Sequence, residues 1–305
     1  MEGFDPNATA PPLSVVLATT HAWPILRETL RSVERQAADI GAEIVVVDGH
    51  GRALPADPEA GSGVHWLRAP GRDIFELRAL GAAHARGAII AVTEDHCRVA
   101  PDWCDRVLGA HAEHPDAAVV AGCVLNGATQ RLIDRANFLL VHGLSLPPLE
   151  AAPARHWSPG PANMSFKREV VPRPAAPSGY LELALIVTLL AEGRVAVDDR
   201  IVVHHDQSNG LMGTFIDHFH AGRSVAGLFR TVSTSPATPR VLNRAMLGYP
   251  GTIVERVRDI ARDKPGAAPE VRRVLPLAVG LVAFAWAGVI AGVVAGPGRS
   301  PHRMK

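Results

Sequence analysis

Residues 88–96 read AIIAVTEDH. Residues 88–93 are apolar enough to be buried on both faces, and the run ends directly in Glu94, Asp95 and His96. A strand that is apolar throughout belongs in a sheet covered on both sides, which is the habit of parallel sheets. Two further runs of this type lie upstream. Residues 13–18 (LSVVLA) precede a helical pattern that starts near Pro24 and places Leu26, Leu30 and Val33 on one face. Residues 43–47 (EIVVV) end in Asp48, Gly49, His50 and Gly51.

The alternation continues around these runs. It predicts a strand over 64–67, a helix over 74–86 stopped by Gly87, a helix over 102–111 and a strand over 117–122. The fold class is therefore α/β, a mostly parallel sheet flanked by helices. Ligands of such sheets bind at the carboxyl ends of the strands. That rule puts Thr19, Asp48 and the Glu94–Asp95–His96 cluster on one rim. Beyond residue 125 the pattern loosens. Residues 144–180 are rich in Pro, Ala and Gly and read as a loop across the site. A helix is expected over 180–192, a strand over 201–205, and helices over 213–261 broken near Tyr249–Pro250.

Residues 274–298 contain no charge. That exceeds the roughly 20 residues a membrane-spanning helix needs. Two readings stay open: a spanning helix, or a buried or interfacial one. Arginines are denser before the run than after it, which favours a catalytic domain on the cytoplasmic side of the membrane. The organisation expected is a disordered tail over 1–12, a catalytic domain over 13–230, a helical linker over 231–273, the hydrophobic membrane segment over 274–298 and a basic tail over 299–305. The net charge of +1 gives no reason to expect a nucleic-acid partner. The three cysteines, Cys97, Cys104 and Cys123, form neither a disulfide framework nor a zinc motif and read as reduced thiols.

Several side chains carry candidate chemistry. Two carboxylates and an imidazole at 94–96 suit a divalent cation, and also suit a solvated acidic turn. Asp48 suits a nucleotide base or ribose, and equally a turn. His204-His205-Asp206 ends a strand and offers a metal or phosphate ligand, or a structural pair. Arg78 is placed to meet a phosphate or solvent. The chain has no GxGxxG after its first strand, no GxxxxGK[ST] and no GxSxG, which argues against dinucleotide oxidoreductases, P-loop enzymes and α/β-hydrolases. A nucleotidyltransferase on a related sheet usually has a Gly- and Arg-rich loop after that strand, where TTHAW has neither residue.

Taken in order over about residues 12–230, these segments resemble glycosyltransferase family 2, the inverting transferases of the GT-A fold. LSVVLATTHAWPILRETLRSVERQ is similar to the family's opening strand and helix, with Ser32 and Gln36, and VVVDGHG to its nucleotide-binding strand. FELRALGAAHARGAIIAVTEDH resembles the arginine-bearing helix and the strand leading to the DxD motif. GPANMSFKREV resembles the acceptor-side segment, and HHDQ with FHAGRS the region after the last catalytic strand.

The resemblance implies that Thr19, Asp48 and Arg78 contact the nucleotide. It implies that Glu94 and His96 take the two acidic DxD positions, with Asp95 between them and His205 as a further metal ligand, and that the cofactor is Mg²⁺ or Mn²⁺. It places Asn163 and Arg223 on the acceptor side. The family's catalytic aspartate falls here on Tyr180, whose phenol is a poor base near neutral pH given a pKa of about 10. Glu182 is the nearest carboxylate and the candidate base. The activity implied is transfer of a sugar from a nucleoside-diphosphate sugar to a lipid-linked or envelope-glycan acceptor at a membrane. The alternative is a membrane-tethered sugar-nucleotide-binding protein without transferase activity.

Overall fold

The computed structural model describes residues 10–21, 23–50, 63–149, 157–232 and 238–304. Most of the tail expected over 1–12, Gly51 after Asp48, and 150–156 of the expected loop lie outside the described residues. Where that tail is described it is already tied to the fold, because the Pro11 and Pro12 carbonyls accept from the amides of Ala88 and Ile89.

The chain runs β1 (Leu13–Thr19), α1 (Trp23–Asp39), β2 (Glu43–Asp48), β3 (Val64–Arg68), α2 (Ile74–His84), β4 (Ile89–Glu94), β5 (Cys97–Val99), α3 (Trp103–Glu113), β6 (Val119–Asn126), α4 (Leu132–His142), β7 (Met164–Lys167), α5 (Ile186–Ala191), β8 (Val195–His205), α6 (Gly210–Val232), α7 (Thr238–Asp263) and α8 (Ala267–Ala295). The eight strands form one sheet in the order β3-β2-β1-β4-β7-β6-β8-β5. The pairs β3–β2, β2–β1, β1–β4 and β6–β8 are parallel; β7 runs antiparallel to both neighbours, and β5 antiparallel to β8.

Both faces of the sheet are covered, which is why its parallel strands carry no polar alternation. Val15 and Leu17 enter the core shared with Leu26, Leu30 and Trp103 of α1 and α3. Val16 and Ala18 enter the opposite core, with Leu77 of α2 and Ile186 of α5. A third core joins Ile133 and Leu140 of α4 to Ile253 and Ile260 of α7 and to Val274 and Leu281 of α8.

The structure corrects three expectations. The stretch 144–180 contains β7, a strand of four residues at the centre of the sheet. The predicted break near Tyr249–Pro250 is absent, since α7 continues through Pro250. A proline there cannot donate to the carbonyl four residues earlier. That carbonyl, of Met246, instead accepts from the Trp286 indole at 2.6 Å. Finally, no element boundary falls at 274: α8 begins at Ala267, and its Glu270 is ion-paired to Arg135 of α4 at 3.0 Å.

Candidate active site

The carboxyl ends of β1, β2 and β4 bring their polar residues to one rim. Register pairs Thr19 with Asp48 and Ala18 with Glu94. Immediately after Glu94 the chain turns into β5, which lies antiparallel on β8 with Cys97 opposite His205. That pairing sets His96 beside His205, and the Asp206 amide closes the corner by donating to the His96 carbonyl at 2.9 Å.

Three donor atoms converge there. His96 Nε2 and His205 Nε2 are 3.0 Å apart, and Glu94 Oε2 lies 3.6 Å from the first and 3.4 Å from the second. A first-row divalent cation sits about 2.1 Å from an imidazole nitrogen, so adjacent ligands in its shell are about 3.0–3.4 Å apart. The triangle has the dimensions of one face of such a shell, with two imidazoles and one carboxylate. A divalent cation therefore fits these residues.

Asp95 stands behind that face. Its Oδ1 accepts from His96 Nδ1 at 2.8 Å, and its Oδ2 meets Thr19 Oγ1 at 2.5 Å and His21 Nδ1 at 2.9 Å. Both oxygens are thus engaged, and the carboxylate fixes the His96 ring with Nε2 turned to the cluster, as an outer carboxylate does for a metal-bound histidine. Thr29 Oγ1 holds the Asp95 carbonyl at 2.7 Å. Burial would raise the Asp95 pKa, but hydrogen bonds with His21 and His96, and the charges of those rings, hold it well below its usual range. Burial likewise opposes a charge on His96, yet Asp95 and Glu94 raise its pKa. Cys97 also faces Glu94 and His205, and in the metal-free protein burial first and Glu94 second push its thiol well up.

Arg78 arrives from α2, whose start is pinned by a capping box between Asp73 and Glu76. Its guanidinium forks between two carboxylates, Glu94 Oε1 at 2.8 Å and Glu182 Oε1 at 3.0 Å. Glu182 lies in a π-helical segment, Tyr180–Leu185, entered through Gly179 at φ 78°. Wide turns of this kind collect at functional sites. Burial raises the Glu182 pKa by more than Arg78 lowers it, and Glu182 Oε2 is sealed from solvent without a hydrogen-bond partner.

The remaining expected residues take other positions. Asp48 is buried on the rim, its Oδ1 accepting from the His50 amide at 2.8 Å, with Arg68 Nε 3.8 Å from its other oxygen. Asn163 is also buried: its Oδ1 accepts from the Trp103 indole at 2.9 Å, and its Nδ2 donates to the carbonyls of Cys123 and Ile201 at 2.8 and 3.0 Å. Its amide ties strands together. Arg223 turns to the end of α8, donating to the Gly296 carbonyl at 3.2 Å, a cation placed at a helix C-terminus.

Sequence reading missed two rings. His21 follows β1 by two residues, at the same strand end as Thr19. His142, at the last residue of α4, packs on His205 with ring centroids 4.4 Å apart. Burial first, and the His205 charge second, hold its pKa well below the usual range, so it is a neutral backing for the His205 ring. No local pattern announces it.

Residues 14–156 match the family model for glycosyl transferase family 2. This stretch is a glycosyl transferase family 2 domain. It covers β1 to α4 and so includes Thr19, Asp48, Arg78 and the 94–96 cluster, while His205 and Glu182 come from the chain beyond it. The whole chain is similar to the mannosyltransferase PcManGT from Pyrobaculum calidifontis, solved in complex with GDP-Man and Mn²⁺. The TM-score is 0.56 at 17% identity, covering 94% of this chain and 88% of that one. The likeness establishes a GT-A-like fold. S. aureus TarS, residues 1–349, aligns over 92% of this chain and 90% of its own at a TM-score of 0.48 and 12% identity, too loosely to bear on the argument. No curated protein sequence matches the chain.

Proposed function

We propose that the family 2 domain and the helices that follow it form a metal-assisted, inverting glycosyltransferase. It moves a sugar from a nucleoside-diphosphate sugar to a lipid-linked or envelope-glycan acceptor at the cytoplasmic side of a membrane. One observation carries this reading: a cation-sized triangle of Glu94, His96 and His205 is joined through Arg78 to a buried carboxylate with one free oxygen.

In this reading Glu94, His96 and His205 hold the cation, and Asp95 and His142 keep the two rings in place. A cation held by these three side chains would supply positive charge against the departing diphosphate. Two imidazoles in the donor set favour Mn²⁺ over Mg²⁺, whose preferred ligands are oxygens. The Mn²⁺ and GDP-Man carried by the similar mannosyltransferase support that choice and the class of donor. Thr19 and Asp48 line the nucleotide side of the rim. The Glu182 carboxylate takes the proton of the acceptor hydroxyl as it attacks the anomeric carbon. Its desolvated surroundings give it more basicity than an exposed glutamate has. Arg78 sets the position of Glu182 relative to the cation site. Asn163 and Arg223 act here by positioning chain rather than by touching the acceptor.

The test is turnover of a panel of nucleotide sugars by the full chain in lipid or detergent, with Mn²⁺, Mg²⁺ or EDTA and with a lipid-phosphate acceptor. Mn²⁺-dependent transfer that disappears in Glu182→Gln with donor binding intact supports the transferase. Donor binding without transfer to any acceptor, in wild type and variant alike, favours the sugar-nucleotide-binding alternative that Tyr180 at the family's aspartate position keeps in view.

A further inference from the structure

The helix α8 has 29 residues and a mean hydropathy of 2.4 over its most apolar window, the length and composition of a membrane span. Its two sides differ. The inner side, Val274, Ala278, Leu281, Ala285, Gly288 and Gly292, is buried against the rest of the protein. Val274, Ala278 and Leu281 share a core with Ile133 and Leu140 of α4. Further along, α8 and α6 touch backbone to backbone. A Cβ on Gly288 would collide with the Phe219 carbonyl, one on Gly292 with the Arg223 carbonyl, and one on Gly222 with the Ala285 carbonyl. Small residues at such spacing let two helices approach to a fixed distance.

The outer side is apolar and bare. Leu275, Val279, Trp286 and Val294 are 38% to 73% exposed, and no charged residue lies among them. The Trp286 bond to the Met246 carbonyl puts Leu247 of α7, itself 74% exposed, next to this stripe. Twenty residues of helix make a stripe about 30 Å long. Exposed arginines stand at both ends, Arg272 and Arg273 before it and Arg299 and Arg303 after it. Long cationic side chains flanking an apolar helix face suit anionic headgroups beside acyl chains.

A helix that crosses a bilayer carries whatever is packed on it into the hydrocarbon. For α8 that means α4 with Asp134 and Arg135, and α6 with Asp217 and Arg223. Ionised groups at the bilayer centre are costly and face a bundle interior or a water-filled cavity where they occur. Peeling α8 away would instead open the glycine seam and the Arg135–Glu270 pair. We propose that α8 does not span the membrane but lies in the plane of an anionic bilayer, its inner side fixed to the catalytic domain and its outer stripe among the lipids. This rests on the proposed membrane setting of the enzyme and specifies how the chain meets it.

Cys97, Cys104 and Cys123 are all buried, so single introduced cysteines report without background. Arg303→Cys and, separately, Asp102→Cys on the catalytic domain are labelled with a membrane-impermeant maleimide in sealed vesicles carrying the full chain. The two sites label from the same side, and alkaline carbonate releases the protein. Val279→Glu with Val294→Glu leaves the melting curve unchanged and weakens binding to phosphatidylglycerol-containing vesicles by roughly tenfold or more. Labelling from opposite sides, with resistance to carbonate, would overturn the in-plane arrangement and leave the membrane setting standing. Absence of any vesicle binding by the wild-type chain would overturn both. Concentration-dependent dimerisation lost in the double variant, again without vesicle binding, would assign the stripe to a second copy and equally overturn the proposal.

Discussion

Arg78 and Glu182 are 104 residues apart in the chain and 3.0 Å apart in the fold. An arginine fork between two carboxylates has a directional consequence that lysine cannot reproduce. Arg78→Lys is expected to lower kcat, because Glu182 loses its orientation, and to weaken donor binding in the presence of Mn²⁺, because Glu94 loses the same fork. Removing the proposed base, as Glu182→Gln, should slow transfer by roughly 10²–10⁴-fold, the usual contribution of a positioned base. The sign of the pH effect follows from burial. In the proposed role Glu182 acts as a carboxylate, and burial raises its pKa above the ordinary glutamate value, so activity should fall on acidification before that value is reached. A kcat profile whose acid limb sits at or below 4.5 would remove Glu182 from that role. The acidic cluster and His205 were legible because each directly follows an apolar strand. The Arg78–Glu182 contact and the His142 backing were not, because they exist only once α2, α4 and the π-helical segment are packed.

Among the elements, the strands buried on both faces were readable from their composition: β1, β2 and β4 each carry an unbroken run of four aliphatic residues. What escaped was β7, four residues inside a Pro- and Gly-rich stretch, and the first half of β8, where Asp198, Asp199 and Arg200 interrupt the pattern at a register shift. The helical break expected at Pro250 failed for a tertiary reason, since the indole of Trp286 satisfies the carbonyl that proline leaves unpaired. Trp286→Phe should therefore cost about 0.5–1.5 kcal/mol in denaturant unfolding. The loss should shrink in a Pro250→Ala background, where the backbone amide returns; equal losses in both backgrounds would show that the two residues are not coupled. In the same layer Gly288→Ala forces apart the backbones of α6 and α8 and should lower the melting temperature far more than Gly248→Ala, whose added Cβ meets nothing within 4 Å.

At the scale of the whole molecule, the helical layer of α6, α7 and α8 shares a core with α4 and reaches the cation site through it, because His142 at the end of α4 backs His205. Stability should follow the buried rings. Burial lowers the pKa of His111 and of His218 to about 4 from 6.5. The unfolded chain binds protons more readily than the fold between those values, so their contribution is fully present above pH 6.5 and is lost as pH falls towards 4. Melting temperatures measured from pH 7.5 to pH 5 should decline, and less steeply in His218→Gln; a flat profile would contradict the burial of these rings.

Calorimetric titration of Mn²⁺ into the full chain, with and without a nucleoside-diphosphate sugar, tests whether Glu94, His96 and His205 hold a cation beside the donor's diphosphate. One Mn²⁺ per chain is expected, bound more tightly than Mg²⁺, strengthened by the donor and abolished in Glu94→Ala and His205→Ala proteins that melt normally. Donor binding that is indifferent to Mn²⁺ and to both substitutions would contradict that assignment.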